Sequence, residues 1–262
     1  MSVKIKVENL YKRFDKREVL HDVSFEVKNR EIFVIIGGSG SGKSTVIKHI
    51  IGLLKPTSGK VFIDSTDIAT LRDRDLIDFR KKIGYLFQEG ALFDSLRVWE
   101  NVGFFYLENT RMPISEIRKL VTKKLALVGL KDVEDLYPSQ LSGGMRKRVA
   151  LARAISYNPE IVLYDEPTSG LDPVTSAMID NLILKLRDEI GVTSIVVTHD
   201  LESAFSIADR IMYIHKGKVV AIGTPEEIKN SQDMFVRQFI NRLPEGPITQ
   251  EFFEELKMKG GR

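Results

Sequence analysis

The sequence has no cysteine, a single tryptophan and no long apolar run. Without cysteine there is no disulfide framework, no thiol nucleophile and no cysteine-based zinc or iron–sulfur site. The longest stretch free of charge, residues 32–42, is eleven residues long, far short of the ~20 that a membrane-spanning helix needs. An excess of one charge is missing too: 39 Lys+Arg against 36 Asp+Glu leave +3, which is too little to argue for nucleic acid. Residues 1–7 alternate like a strand and lack the apolar core of a signal peptide. These deficits lead us to expect a chain of the reducing cytoplasm that works at a membrane only through a partner. What is present is a 43% hydrophobic fraction, which excludes wholesale disorder and suffices for a sizeable core.

Val3, Ile5 and Val7 alternate with Lys4, Lys6 and Glu8, and Val23, Phe25 and Val27 repeat the pattern. Period two predicts antiparallel strands near the N-terminus. Residues 32–36 form a continuous apolar run, as a central strand buried on both faces requires. The chain then passes through glycines and is predicted helical as far as Leu54. Further strands are predicted at 61–63, 83–87, 161–164 and 194–197, with a charged helix over 71–82 and another helix over 173–190. Between residues 98 and 157, helical spacing prevails at Ile117, Leu120, Val121, Leu125 and Val128, punctuated at Pro113 and Pro138. Strand–helix alternation implies an α/β fold with a mostly parallel core sheet. An antiparallel β subdomain precedes that core and a helical subdomain is inserted into it. The expected divisions are 1–88 and 159–225 for two parts of one core, 89–158 for the helical insertion, and 226–262 for C-terminal helices and a tail. Two short helices are expected after Pro225, then a turn at 244–247, with the residues from 257 frayed.

Residues 37–44 read Gly-Gly-Ser-Gly-Ser-Gly-Lys-Ser, the phosphate-loop pattern, and they sit between a buried strand and a helix. Backbone N–H groups of such a loop face phosphates, and the following helix adds its N-terminal dipole. Gly37, Ser39, Gly40, Ser41, Gly42 and Thr45 are therefore candidates for nucleotide contact. Lys43 can reach the β and γ phosphates, and the Ser44 hydroxyl can take a place on Mg²⁺. Asp165 and Glu166 end the strand at 161–164, where consecutive side chains point to opposite sides. One carboxylate can then hold the metal (Asp165) while the other orients or deprotonates water (Glu166).

Residues 141–145, Leu-Ser-Gly-Gly-Met, open a second helix: Ser142 is a good N-cap, and the terminus can take an anion. Together these motifs resemble those of the ATP-binding-cassette (ABC) ATPases. Gln88 matches that family's Q-loop glutamine, residues 169–172 its D-loop ending in Asp172, and His199 its switch histidine. Phe14 sits where the family places an adenine-stacking ring, with Tyr11 as the alternative. The resemblance implies a P-loop NTPase fold that binds ATP and Mg²⁺, with Gln88 sensing metal and water and His199 bonding the γ-phosphate. It also implies a head-to-tail homodimer in which Ser142, Gly143 and Gly144 contact the nucleotide held by Lys43 of the other copy. The remaining histidines, His21, His49 and His215, show no paired metal spacing.

Residues 90–96, 141–148, 198–204 and 243–248 are similar to one branch, the ATPases of Mce/Mla-type lipid transporters, which share methionine where most cassettes have glutamine (here Met145). That likeness implies a membrane permease partner, a lipid-binding Mce-type subunit in the same complex, and placement on the cytoplasmic face of the inner membrane. It further implies a small accessory protein near the tail, where Phe252, Phe253 and Leu256 stand among acidic residues. Ala91, Leu92 and Phe93 are read either as a docking patch for the permease or as packing of the helical block. Residues 146–148, Arg-Lys-Arg, are read as a solvated helix face or as a phosphate or partner contact. Other readings are an ABC transporter of a small solute, a soluble ABC ATPase of repair or translation, and an idle regulatory subunit. The soluble types carry coiled-coil insertions or two cassettes, whereas 52 residues separate Gln88 from Leu141 here and one cassette is present. Against the idle reading, Lys43, Asp165, Glu166 and His199 are all intact.

Overall fold

Alternation at the N-terminus becomes two long paired strands, β1 (Val3–Phe14) and β2 (Arg17–Lys28), in a computed structural model that describes residues 2–260. Ile5, Val7 and Leu10 turn inward. A third strand, β4 (Ser58–Ile63), pairs antiparallel with β1, and the short β5 (Thr66–Asp67) pairs with β4. The resulting sheet has the order β2-β1-β4-β5.

The second sheet contains β3 (Ile32–Ile36), β6 (Ile83–Leu86), β7 (Ile161–Asp165), β8 (Thr193–Thr198), β9 (Arg210–His215) and β10 (Lys218–Gly223). Its order is β10-β9-β3-β8-β7-β6. All neighbours run parallel except the edge strand β10. Every residue of β3 is buried because both faces are covered. Phe33 and Ile35 join a core shared with the antiparallel sheet and two helices, α1 (Lys43–Ile50) and α2 (Asp73–Arg80). Ile32, Val34 and Ile36 join the opposite core. That side carries α3 (Val98–Asn109), α4 (Ile114–Leu127), α5 (Gly143–Ala154), α6 (Pro173–Ile190) and α7 (Leu201–Ile207). Lys4 links the two sheets' ends through ion pairs with Asp64 and Glu160.

The helix expected to reach Leu54 stops at Ile50. Gly52 adopts a left-handed φ of 69°, and Arg80 takes the carbonyls of Ile51 (3.1 Å) and Gly52 (2.8 Å) that a longer helix would need. The β9–β10 hairpin is absent from the sequence reading. Its turn, Lys216-Gly217, has positive φ at both residues, the geometry that favours tight hairpins. At the C-terminus, α8 (Pro225–Lys229) and α9 (Met234–Ile240) are the two short helices expected. The tail departs from expectation: α10 (Pro247–Gly260) runs on past 256, and residues 261–262 of the expected frayed end lie outside the described residues. Gln238 anchors its start, accepting from Ile248 N–H (2.8 Å) and donating to Thr249 Oγ1 (2.6 Å). Among the described residues no helix is long and apolar enough to cross a membrane.

Candidate active site

The loop between β3 and α1 is shaped by glycine. Gly40 and Gly42 take φ of 72° and 103°, conformations costly for any residue with a Cβ. Gly42 caps α1 without a side chain, so the first N–H groups of the helix remain available to an anion. Lys43 is buried at this terminus and donates to the carbonyls of Gly37 (2.8 Å) and Gly38 (3.0 Å). Its Nζ lies 3.9 Å from Glu166 Oε1. Burial pushes the Lys43 pKa down, with Glu166 and Asp165 opposing. Ser41 Oγ is buried with no hydrogen-bond partner among the described residues, an orphaned polar atom of the kind that a ligand satisfies.

The two carboxylates at the end of β7 diverge, as alternation requires. Asp165 accepts from Ser44 Oγ (2.8 Å) and from the Tyr85 hydroxyl (3.1 Å). Tyr85, from the neighbouring β6, was not singled out by sequence; burial and the Asp165 charge push its pKa up. Glu166 has φ 51°, left-handed for a non-glycine residue, and its N–H is fixed to Val197 O at 2.8 Å. The carboxylate receives the His199 ring, Nδ1 to Oε2 at 2.7 Å, and the His199 N–H at 3.3 Å. Just beyond, Asp200 caps α7 through the N–H groups of Glu202 and Ser203.

Ser39, Gly40, Lys43, Ser44, Gln88, Glu166 and His199 line one cavity of about 360 Å³. An adjoining cavity of about 240 Å³ shares Gly40, Lys43 and Ser44, adds Ser41, Gly42 and Thr45, and is walled by Phe14, Arg17 and Val19. Phe14, rather than Tyr11, therefore faces the loop. Neither cavity is lined by Ser142, Gly143, Gly144 or Asp172. Ser142 caps α5, its Oγ accepting from Met145 N–H at 3.2 Å. Asp172 caps α6 by accepting from the Val174 and Thr175 N–H groups (3.0 Å each) and from Thr175 Oγ1 (2.5 Å). These bonds, led by the Thr175 hydroxyl, hold its carboxyl below the usual carboxylate range.

The charge run at 146–148 is not a solvated face throughout. Arg146 donates to Leu141 O (2.8 Å) and Arg148 to Gly129 O (3.1 Å), while Lys147 is buried and donates to the carbonyls of Gln88 and Glu166. Lys147 lies on the inward side of α5, which packs on α3, α4 and β6, so its cation must find carbonyl dipoles instead of water. Sequence missed this role because the acceptors lie on other elements. Of the suspected docking residues, Leu92 packs on the core, whereas Phe93 is 44% exposed, its ring 4.7 Å from that of Phe104.

The family model for the ABC transporter matches residues 20–169. The intermembrane phospholipid transport system ATP-binding protein MlaF of Haemophilus influenzae is 43% identical over 258 residues, covering 96% of this chain and 97% of the relative. The methionine import ATP-binding protein MetN 1 of Bacillus cereus is 40% identical over 98% of this chain and 75% of its own length. Among solved structures, a dimeric ATP-binding cassette in a post-hydrolysis state with ADP and Pi superposes with a TM-score of 0.78. It is 38% identical and covers 84% of this chain and 98% of the other.

Proposed function

This chain belongs to the ABC transporter family as one of its ATP-hydrolysing cassettes, and on that premise we propose that it drives phospholipid or a related lipid through a partner membrane permease. One observation carries the lipid assignment: the chain is 43% identical to the phospholipid-transport relative over 96% of its own length. Met145 and the C-terminal stretch at 243–248 favour the same branch. The 40% identity to a methionine importer keeps transport of a small solute as the second reading.

In this proposal, residues 37–45 hold the phosphates of ATP and Phe14 stacks on the adenine. Ser44, Asp165 and Gln88 offer only oxygen ligands, the donor set that suits Mg²⁺. The metal, when bound, supplies charge neutralisation on the phosphates. Lys43 binds the terminal phosphates as a point charge. Glu166 orients and deprotonates the attacking water, and His199, with Nδ1 engaged by Glu166, offers Nε2 to the γ-phosphate. Ser142, Gly143 and Gly144 serve the nucleotide of a second copy packed head to tail, since they line neither cavity of their own chain. Asp172 acts beside them by fixing the start of α6. Residues 1–88 with 159–225 form the ATP-binding core and 89–158 the helical subdomain.

Phe87 and Phe93, 41% and 44% exposed on either side of Gln88, are the surface we assign to the permease, holding the chain peripherally at the cytoplasmic face of the inner membrane. Phe252, Phe253 and Leu256, all exposed on α10, are assigned to the neighbouring cassette or a small accessory protein, and an Mce-type subunit completes the complex. The test is capture of tagged Glu166→Gln protein from detergent-solubilised membranes of its source with ATP, followed by mass spectrometry of proteins and lipids. A permease with a lipid-binding subunit and enriched phospholipid is the expected result. A solute permease without lipid would replace the cargo, and ribosomes or nucleic acid alone would overturn the transporter assignment.

A further inference from the structure

An ammonium group taken out of water is costly unless acceptors surround it. Lys147, in the second turn of α5, is only 7% exposed. Burial pushes its pKa down, and the nearby carboxylates of Glu89, Glu166 and Asp165 oppose that shift. Its hydrogen bonds nevertheless go to main chain: Nζ donates to Gln88 O and, at 3.4 Å, to Glu166 O. Both acceptors belong to residues that line the cavity beside the phosphate loop.

The Glu166 contact matters because that residue is held in an unfavourable conformation. A non-glycine residue at φ 51° persists only where its surroundings over-determine it. Val197 O takes its N–H at 2.8 Å, and Lys147 takes its C=O. With both ends of the residue fixed, the carboxylate is directed to His199. The same helix grips the Gln88 segment a second time: Arg153 donates to Gly90 O and Ala91 O at 2.7 Å each. Residues 90 and 91 also have positive φ, 76° and 48°. Thus α5 holds the main chain at 88–91 from two points and the main chain at 166 from one.

We propose that Lys147 is a positioning residue that ties the helix beginning at Ser142 to the main chain of Gln88 and Glu166 in the same chain, so that the Ser142 terminus and the chain's own hydrolytic side chains keep a fixed relation. The proposal rests on the ATPase function. In a head-to-tail pair, the terminus engaged on a neighbour's nucleotide would then report directly to the site that hydrolyses its own. Lys147 touches no reacting atom; it acts through two carbonyls.

The experiment compares full-length wild type, Lys147→Met and Lys147→Arg for kcat and KM with Mg–ATP, equilibrium ATP affinity, and thermal unfolding. Methionine fills the same space without a donor, whereas the guanidinium can serve both carbonyls. Because small misplacements of catalytic groups cost up to ~10²-fold, Lys147→Met is expected to lose ~10-fold or more in kcat while ATP affinity stays within ~3-fold. Lys147→Arg is expected to recover most of the rate. Should Lys147→Met fold poorly, Lys147→Gln, which keeps a shorter, uncharged N–H donor group, is expected to give an intermediate kcat at wild-type ATP affinity. Wild-type kcat in Lys147→Met, equal losses in the Met and Arg variants, or losses that track only the folded fraction would each overturn the role. A wild type that fails to hydrolyse ATP would instead overturn the ATPase function on which the role depends.

Discussion

His199 Nδ1 lies 2.7 Å from Glu166 Oε2, so two side chains from the ends of adjacent strands share one hydrogen bond at the cleft. A carboxylate accepts, which makes Nδ1 the donor and leaves Nε2 as the ring atom for a phosphate. His199→Ala removes both contacts at once. Its kcat is expected to fall ~10²-fold while ATP affinity changes by less than ~3-fold, the pattern of a group that acts in the transition state. Steady-state kinetics beside equilibrium nucleotide binding separates the two, and parallel losses would contradict the assignment.

Gly144 packs where a side chain does not fit. A Cβ there would stand 2.5 Å from Thr175 Cγ2, and that methyl cannot swing away because Thr175 Oγ1 is bonded to Asp172 at 2.5 Å. Gly144→Ala should therefore destabilise by ~1–3 kcal/mol through overpacking. Thr175→Ser deletes the methyl and keeps the hydroxyl, so it should restore most of that loss in the double variant. Urea unfolding of the four proteins gives the coupling directly, and strictly additive effects would contradict the contact.

Asp180 on α6 supplies a pH dependence. Its Oδ2 accepts from Ser203 Oγ at 2.7 Å, and its Oδ1 is buried without a partner among the described residues. Burial pushes its pKa up to about 6, with Asp200 and Glu202 adding and Ser203 opposing. The folded state thus keeps this proton to a higher pH than the unfolded chain, whose Asp titrates near 3.8. The contribution to stability is complete below that lower value and is lost as pH rises through about 6. Relative to Asp180→Asn, the wild type should lose on the order of 2 kcal/mol between acidic and neutral buffer. Chemical denaturation of both proteins at the two pH values checks this, and parallel pH profiles would contradict it.

The placement of the candidate residues is legible where a motif fixes them at short spacing. Lys43 and Ser44, Asp165 and Glu166, and the Ser142 cap all stand where local pattern put them. Tyr85 was not legible, because its partner lies 80 residues away and only the pairing of β6 with β7 brings them together. Lys147 failed for the same reason: a charge run reads as solvated until the elements enclosing it are known. In the fold, the buried runs at β3, β7 and β8 gave the parallel sheet away. The β9–β10 hairpin hid because its strands follow α7 directly, although Lys216-Gly217 between two apolar runs was a usable signal. The C-terminal helix extends past its expected end, and the anchoring of its first turn by Gln238 is a contact that local composition does not reveal.

Hydrolysis driven by Glu166 is tested most directly by a single-turnover measurement of Mg–ATP cleavage in wild type and Glu166→Gln. Glutamine keeps the size of the side chain and an oxygen for His199, but it cannot take a proton from water. The predicted result is cleavage slowed ~10²-fold or more with ATP still bound and the two-copy assembly stabilised by it. Cleavage by Glu166→Gln at the wild-type rate would contradict the role of Glu166 and the mechanism built on it.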